Sequence, residues 1–156
     1  MIRKADKQDI PALISLLHQV NDVHADGRPD LFVHGHTKYD EAELEELLDD
    51  EDRPVFVSVD DNGTTEGYSF SQISRYHEGD HLKPHTSLYI DDICVNAACR
   101  RRGVGRRLYE HTERFAKSIG CHNITLNVWA ANEGAQRFYD SLGLKLQKTT
   151  LEKILI

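Results

Sequence analysis

A mixed α/β fold, organised as one domain over residues 1–156, is what this sequence predicts, and three observations predict it. Stretches with apolar residues at three- and four-residue spacing alternate along the chain with stretches of period two. Turn chemistry falls between them, as in DDNG and at Gly27, Gly120 and Gly143. The length is enough to bury a working core without metal or disulfide staples.

The elements follow in order. Ile2 to Ala5 reads as a short strand, and Asp9 with Pro11 marks a helix start that places Ile10, Leu13, Leu17, Val20 and His24 at helical spacing up to Gly27. The segment HADGRPDLFVHGHTKYD is a connection. It leads to an acidic helix, AELEELLDD, with Leu44, Leu47 and Leu48 inward. PVFVSV and TEGYSFSQI flank Asn62 and Gly63, which supply the positive backbone angles of a tight hairpin. After the polar loop RYHEGDHLKPH, SLYIDDICV is a third strand led by Leu88, Ile90, Ile93 and Val95. Its apolar phase slips at Asp91 and Asp92, which predicts a bulge, a device that re-aims side chains. A helix carrying Val104, Leu108, Phe115 and Ile119 follows, then the strand NITLNVW. Asn132 caps a last helix stopped by Gly143, before a closing strand-like stretch, LKLQKTTLEKILI.

Composition narrows the function classes. With 39% hydrophobic and 29% charged residues the usage is that of ordinary globular proteins, so function has to be read from local patterns. A net charge of −7 disfavours general binding to nucleic acid or an anionic membrane and permits a cationic substrate. Cys94, Cys99 and Cys121 follow no CxxC spacing and cannot all pair within one chain, which fits reduced thiols in a cytoplasm. The opening MIRKADKQDI lacks the apolar core of a signal peptide, and no stretch approaches the roughly 18 apolar residues of a membrane span.

The sharpest local feature is RRRGVG, Arg100 to Gly105, between a strand and the first turn of a helix. A helix start exposes unpaired N–H groups and partial positive charge, so a pyrophosphate fits there if glycines let the backbone come close. Gly103 and Gly105 give that access, while Arg100, Arg101, Arg102, Arg106 and Arg107 concentrate positive charge in an acidic chain. Neither GxxxxGK[ST] nor GxGxxG is present, which weakens kinase and dinucleotide readings. The plainer alternative is a basic surface turn.

In these residues the chain resembles the GNAT superfamily of N-acetyltransferases. The signature Q/R-x-x-G-x-G/A is matched by Arg100, Gly103 and Gly105, and N-x-x-A-x-x-F-Y-x-x-x-G-F by Asn132, Ala135, Phe138, Tyr139 and Gly143. Together the matches span roughly Ser87 to Leu144, with Ala97 where proline is frequent and Leu144 where phenylalanine is. The resemblance implies a mixed, mostly antiparallel central sheet, splayed between its fourth and fifth strands and flanked by about four helices. It implies acetyl-CoA as cosubstrate, an amine-bearing small molecule or peptide as acceptor, no metal, and frequent homodimers. The pantetheine arm would lie along Ile93, Cys94 and Val95. The amides from Arg101 through Arg102, Gly103, Val104 and Gly105 to Arg106 would hold the pyrophosphate, helped by Arg100, and Asn132 would contact the cofactor.

The chemistry implied is direct attack of an amine on the thioester through a tetrahedral intermediate. A lysine-like amine with pKa near 10.4 is neutral in only about one molecule in a few thousand at pH 7, so a base has to assist. Asp91 and Asp92 are the candidates, with Asp91 falling where polyamine acetyltransferases of the family bear an acidic residue. The departing thiolate needs a proton, a role for the Tyr139 phenol as general acid. Asn127 stands where the ribosomal-protein alanine acetyltransferases carry a glutamate, and it cannot serve as base.

Each of these residues also has a plainer reading. Tyr139 could pack with Phe138 in the core, Asp91 and Asp92 could be a bulge with a solvated carboxylate, Asn132 an N-cap, and Cys94 a small core residue. Loop residues near the cleft, His77 and Glu78, together with His24, Arg28 and Asp30, are candidates for acceptor contacts. His77, His81 and His85 recur every four residues, but Gly79 and Pro84 argue against a metal-binding helix face. The competing function is a non-enzymatic module that binds CoA or another anion through the same loop.

Overall fold

The structure is a computed structural model that describes residues 1–156. Its centre is a five-stranded sheet of β1 (Ile2–Lys4), β2 (Val55–Val59), β3 (Thr65–Tyr76), β4 (His85–Val95) and β5 (Asn123–Leu126), in spatial order of the sequence. The first four pair antiparallel and β5 lies parallel to β4. α1 (Ile10–Gly27) and α2 (Glu41–Leu48) cover one face, α3 (Val104–Ser118) covers the other, and α4 (Glu133–Ser141) follows β5. This is the mixed, mostly antiparallel sheet with four helices that the resemblance implies.

Local chemistry explains the boundaries. Asp40 starts α2 with a capping box, accepting from the Glu43 amide at 2.8 Å while Glu43 accepts from the Asp40 amide at 2.8 Å. Before α1 the carboxylate of Asp9, 5% exposed, takes a two-point bond from Arg3 at 2.7 and 2.9 Å, which ties the end of β1 to the helix start. The apolar faces then sort themselves. Leu13, Leu16, Leu17, Leu44 and Leu47 meet Val55, Val57, Tyr68, Phe70 and Cys94 on one side of the sheet. Val104, Leu108, Tyr109 and Ala116 of α3 meet Phe56, Ile73, Leu88 and Ile90 on the other.

Gly67 sets how closely α3 approaches. A Cβ there would stand 2.6 Å from the Cys94 carbonyl oxygen and 3.2 Å from Leu108 Cδ1. Only a bare backbone lets the ends of β3, β4 and the start of α3 converge.

Two expected strand stretches differ. β5 stops at Leu126 rather than running to Trp129, and LKLQKTTLEKILI forms no strand. Leu146 and Leu151 are exposed, as are Ile154, Leu155 and Ile156, and no backbone N–H of residues 145–156 donates within the chain. A period-two pattern predicts a strand only when an edge is there to receive it, and in this chain the segment does not reach one.

Candidate active site

β4 carries the anticipated bulge. Phe70 pairs with Asp92 and Ser71 with Ile90, leaving Asp91 as the extra residue. Before it Leu88 and Ile90 face α3, and after it Ile93 does, so Asp92 and Cys94 turn to the α1 side. The extra residue thereby puts a carboxylate where an unbroken ladder would put an apolar side chain. Pairing with β5 covers only Ser87 to Ile90, so from Asp91 to Val95 β4 has no partner on that edge. The sheet opens there into a cleft whose wall offers main-chain groups.

The two aspartates have different surroundings. Asp92 accepts a 2.6 Å bond from the Tyr68 hydroxyl, and burial pushes its carboxyl up to about 6, against that bond and with help from the charge of Asp91. A carboxylate titrating near neutrality is suited to taking and releasing a proton. Asp91 instead binds the Lys38 ammonium, which donates to both its oxygens at 2.8 Å. Burial pulls the Lys38 ammonium down, but the bond and charge of Asp91 outweigh it and hold the group above its ordinary value. Tyr39 lies 3.4 Å from Asp91 and receives a 3.0 Å bond from Arg53. Cys94 is 8% exposed among core residues, its thiol pushed up to about 12 by burial and then by the charge of Asp92, so it is inert as a nucleophile.

At the end of β4 the chain makes a short 3-10 turn capped by Asn96 and enters the glycine and arginine loop. Arg101 has φ 66° and Gly103 φ 73°, both left-handed. This winding leaves every amide from Arg100 to Arg106 without an acceptor in the chain, and the first backbone bond of α3 is donated by Arg107 to the Gly103 carbonyl at 3.1 Å. Gly103 caps α3 with no side chain. Arg100, Arg101 and Arg102 are exposed and have no acidic partner, whereas Arg106 bonds Ser141 at 3.2 Å and Arg107 bonds the Arg102 carbonyl at 2.7 Å. A row of unengaged donors at a helix start, with three unpaired guanidinium groups beside it, has the chemistry that a diphosphate requires. Val104 is 1% exposed, so only its amide remains available. Gly105 faces α4, where a Cβ would touch Phe138 and Val95 at 3.4 Å.

α4 brings Tyr139 up from behind the cleft. Phe138 packs edge-on against it at 5.1 Å, and the Tyr139 hydroxyl has no hydrogen-bond partner in the chain. Burial first, then the charge of Asp92, raises its pKa, so it stays a phenol at neutral pH. Asn132 caps α4, accepting from the Ala135 amide at 3.1 Å, which leaves its side-chain NH₂ free.

Comparison with known proteins places this geometry. The family model of the Acetyltransferase (GNAT) family matches residues 18–144. The chain belongs to the GNAT acetyltransferase family. A solved structure of a mutant BH1408 protein from Bacillus halodurans is 29% identical, covers 100% of this chain and 99% of its own, and superposes with a TM-score of 0.94. The aminoglycoside N-acetyltransferase AAC(6')-Iy, solved in complex with CoA, is 21% identical over 100% of this chain and 99% of its own, with a TM-score of 0.71, a likeness of fold. The uncharacterized N-acetyltransferase YhdJ of Bacillus subtilis is 28% identical over 78 residues, 49% of this chain and 51% of the relative, so the match spans about half of that protein.

The end of α1 and the connection that follows it pack against Trp129, just beyond β5. His24 stacks on Phe32 at 5.1 Å, Phe32 meets Trp129 edge-on at 5.7 Å, and Arg28 lies over Trp129 at 5.5 Å. His24, Arg28, Trp129 and Asn132 line a cavity of about 150 Å³. Burial, then the charge of Lys38, holds His24 below its usual pKa, so it is neutral at pH 7. Arg28 is paired with Asp30 at 2.7 Å and with Glu152 at 3.0 Å. His77 and Glu78 are not brought to this cleft: they sit on the β3–β4 turn, six pairs beyond the Phe70–Asp92 pair, on the order of 20 Å away. That distance sets them apart from the bulge and the cleft beside it. No group of three His, Cys, Asp or Glu side chains converges in a way that could hold a metal ion, and no helix is long and apolar enough to cross a membrane.

Sequence reasoning missed Tyr68, Lys38 and Tyr39. Lys38 and Tyr39 lie in a connection with no periodicity to orient them. Tyr68 reads as one more aromatic on a strand, and only the pairing register puts its hydroxyl on Asp92.

Proposed function

We propose that this chain is an acetyl-CoA-dependent N-acetyltransferase, one catalytic domain over residues 1–156, which acetylates a primary amine of a small cationic molecule, a polyamine or a peptide by direct attack. The observation that carries the reading is the row of unengaged amides from Arg100 to Arg106, opening beside the unpaired edge of β4. These amides would hold the pyrophosphate with Arg100, Arg101 and Arg102 around it. The main chain at Ile93, Cys94 and Val95 would hold the pantetheine arm, and the free NH₂ of Asn132 its neighbouring polar groups. Bound there, the cosubstrate supplies an acyl thioester.

The remaining steps belong to side chains of this chain. Asp91 receives the acceptor's ammonium group, and Asp92, ionised above about 6, takes its proton. Tyr139, kept as a phenol by burial, donates the proton that the sulfur needs on leaving. Tyr68 orients Asp92 through the 2.6 Å bond. His24, Arg28 and Asp30 border the acceptor.

Binding and turnover test different parts. Gly103→Glu places a side chain at a left-handed φ and a negative charge among the amides, so the affinity for CoA by titration calorimetry should fall about 100-fold or more. Undiminished affinity removes the loop from the site. Release of free CoA thiol from acetyl-CoA in the presence of a panel of amines and peptides tests catalysis, and a chain that binds CoA tightly yet acetylates none of them is a binding module instead. Lys38 already occupies Asp91 with an ammonium group, so it competes with the acceptor for that carboxylate. Lys38→Ala is therefore expected to lower KM for a cationic amine about three- to tenfold in steady-state assays, with KM for acetyl-CoA held. A raised amine KM would mean that Lys38 assists the acceptor.

A further inference from the structure

Of the eight lysines in this chain, one brings its nitrogen to the cleft. Lys38 Nζ lies 2.8 Å from each oxygen of Asp91, the residue that the bulge adds to the β3–β4 ladder. Lys7 and Lys117 pair with surface carboxylates, and the remaining five are exposed with no acidic partner in the chain. The charge of Lys38 bears on the titration of His24, Tyr89 and Asp92, after burial in each case, so the ammonium faces the cleft from the connection between α1 and α2.

The backbone that carries this nitrogen is anchored on both sides. Tyr39 stacks on Phe70 at 5.9 Å and its hydroxyl accepts a 3.0 Å bond from Arg53, while Thr37 donates to the Tyr39 carbonyl at 2.9 Å and Asp40 caps α2. The Lys38 ammonium lies over the Tyr39 ring at 5.6 Å. A lysine held in this way samples few positions, so its nitrogen is presented to one carboxylate at high effective concentration. Support of the fold explains the pair poorly. About half of the Lys38 side chain is open to solvent, where an ion pair adds little, and the Tyr39 contacts already fix the connection. What the pair does supply is an amine nitrogen on the very carboxylate to which the proposed reaction brings an acceptor.

We propose that this chain acetylates its own Lys38, once per chain and within the same molecule, and that the modification frees Asp91 for an external amine. The inference rests on the acetyl transfer proposed for this cleft and adds to it a built-in first acceptor. The Nζ–C bond forms between Lys38 and the acetyl carbonyl carbon of an acyl-CoA thioester, and the C–S bond breaks. Of the two protons the nitrogen sheds, the first goes to Asp92 and on to water, and the second makes good the one that Tyr139 gives to the departing sulfur. The products are an amide at Lys38, the free thiol of CoA and a proton, with nothing oxidised or reduced. Acetylation removes the lysine charge, so the charge-assisted bonds to Asp91 are lost. Each chain reacts once, from a nitrogen that begins in two such bonds, so the event is slow beside turnover of a free acceptor.

Incubation of the full chain with acetyl-CoA and no acceptor, followed by intact mass and peptide mapping, is expected to add one acetyl group, at Lys38 about tenfold or more ahead of any other lysine. The rate per chain should be the same at about 1 μM and about 100 μM protein, as an intramolecular step requires. Lys38→Arg keeps an ion pair on Asp91 but offers a guanidinium that stays protonated. With its fold checked by circular dichroism and its CoA affinity by calorimetry, this variant should take up acetyl about tenfold less or lower still. The mapping of Lys38 in the chain itself does not depend on that variant. As the modification accumulates, KM for a cationic amine in initial-rate assays should fall about three- to tenfold, to the value of Lys38→Ala. Acetyl groups spread evenly over the lysines, a rate per chain that rises in proportion to protein concentration, or an amine KM indifferent to the modification overturns the proposal. A Lys38 that stays unmodified while amines of the panel are acetylated also overturns it and leaves the reading of the cleft intact. A chain that gains no mass and releases no CoA thiol to any amine overturns both.

Discussion

Tyr139→Phe should lower kcat about 100-fold or more while acetyl-CoA binds with unchanged affinity. The hydroxyl has no partner in the chain, so its removal costs no fold-stabilising bond, and the Phe138 contact at 5.1 Å remains. Its raised pKa keeps the proton on oxygen through the working pH range, which is the state a general acid requires. A hundredfold loss corresponds to about 2.7 kcal/mol of barrier, within the span of general acid catalysis. Parallel calorimetry and single-turnover kinetics separate the two effects. If turnover is retained, Tyr139 belongs to the packing of α4 alone.

Asp92→Asn should be comparably severe and has a pH signature. With the carboxyl at about 6, the base form is lost as pH falls through that value, so kcat/KM of the unmodified enzyme should rise with pH and level off above it. The asparagine variant should be about 10²- to 10⁴-fold slower and lack that limb. Stability moves the other way. Because the folded pKa lies above the unfolded 3.8, the folded state holds the proton more tightly, and this contribution is full below 3.8 and lost as pH rises through about 6. At pH 8 the variant therefore avoids a buried charge, and its thermal midpoint should not fall. A limb that persists in the variant assigns the titration to another group.

The winding of the glycine and arginine loop and the order of elements through α4 were legible because each rests on short-range rules. Glycine at a left-handed turn, arginines at a helix start and a phase slip at Asp91 and Asp92 are local signals, and the free amides and the bulge are where those signals point. The surroundings of Trp129 were less legible. His24 and Arg28 do border a cavity, yet their neighbours Phe32 and Trp129 come from segments about a hundred residues apart, joined only by packing. His77 and Glu78 share polarity with His24, and sequence alone does not measure the length of hairpin that carries them away from the cleft. The last segment misled for a related reason: its pattern describes a strand, but a pattern does not say whether an edge is there to receive it.

The extra residue in β4 ties chemistry to counting. Between the Gly67–Val95 pair and the Tyr76–His85 pair the two arms of the hairpin differ in length by one, and that surplus is spent at Asp91. Parity along the ladder decides which layer of the protein each side chain joins. An insertion or deletion within either arm is therefore not a local event, since it would exchange the inward and outward sets over the rest of the hairpin, Asp92 and Tyr68 among them. The tip of the hairpin, remote from the cleft, can vary in composition freely but in the spacing of its arms hardly at all.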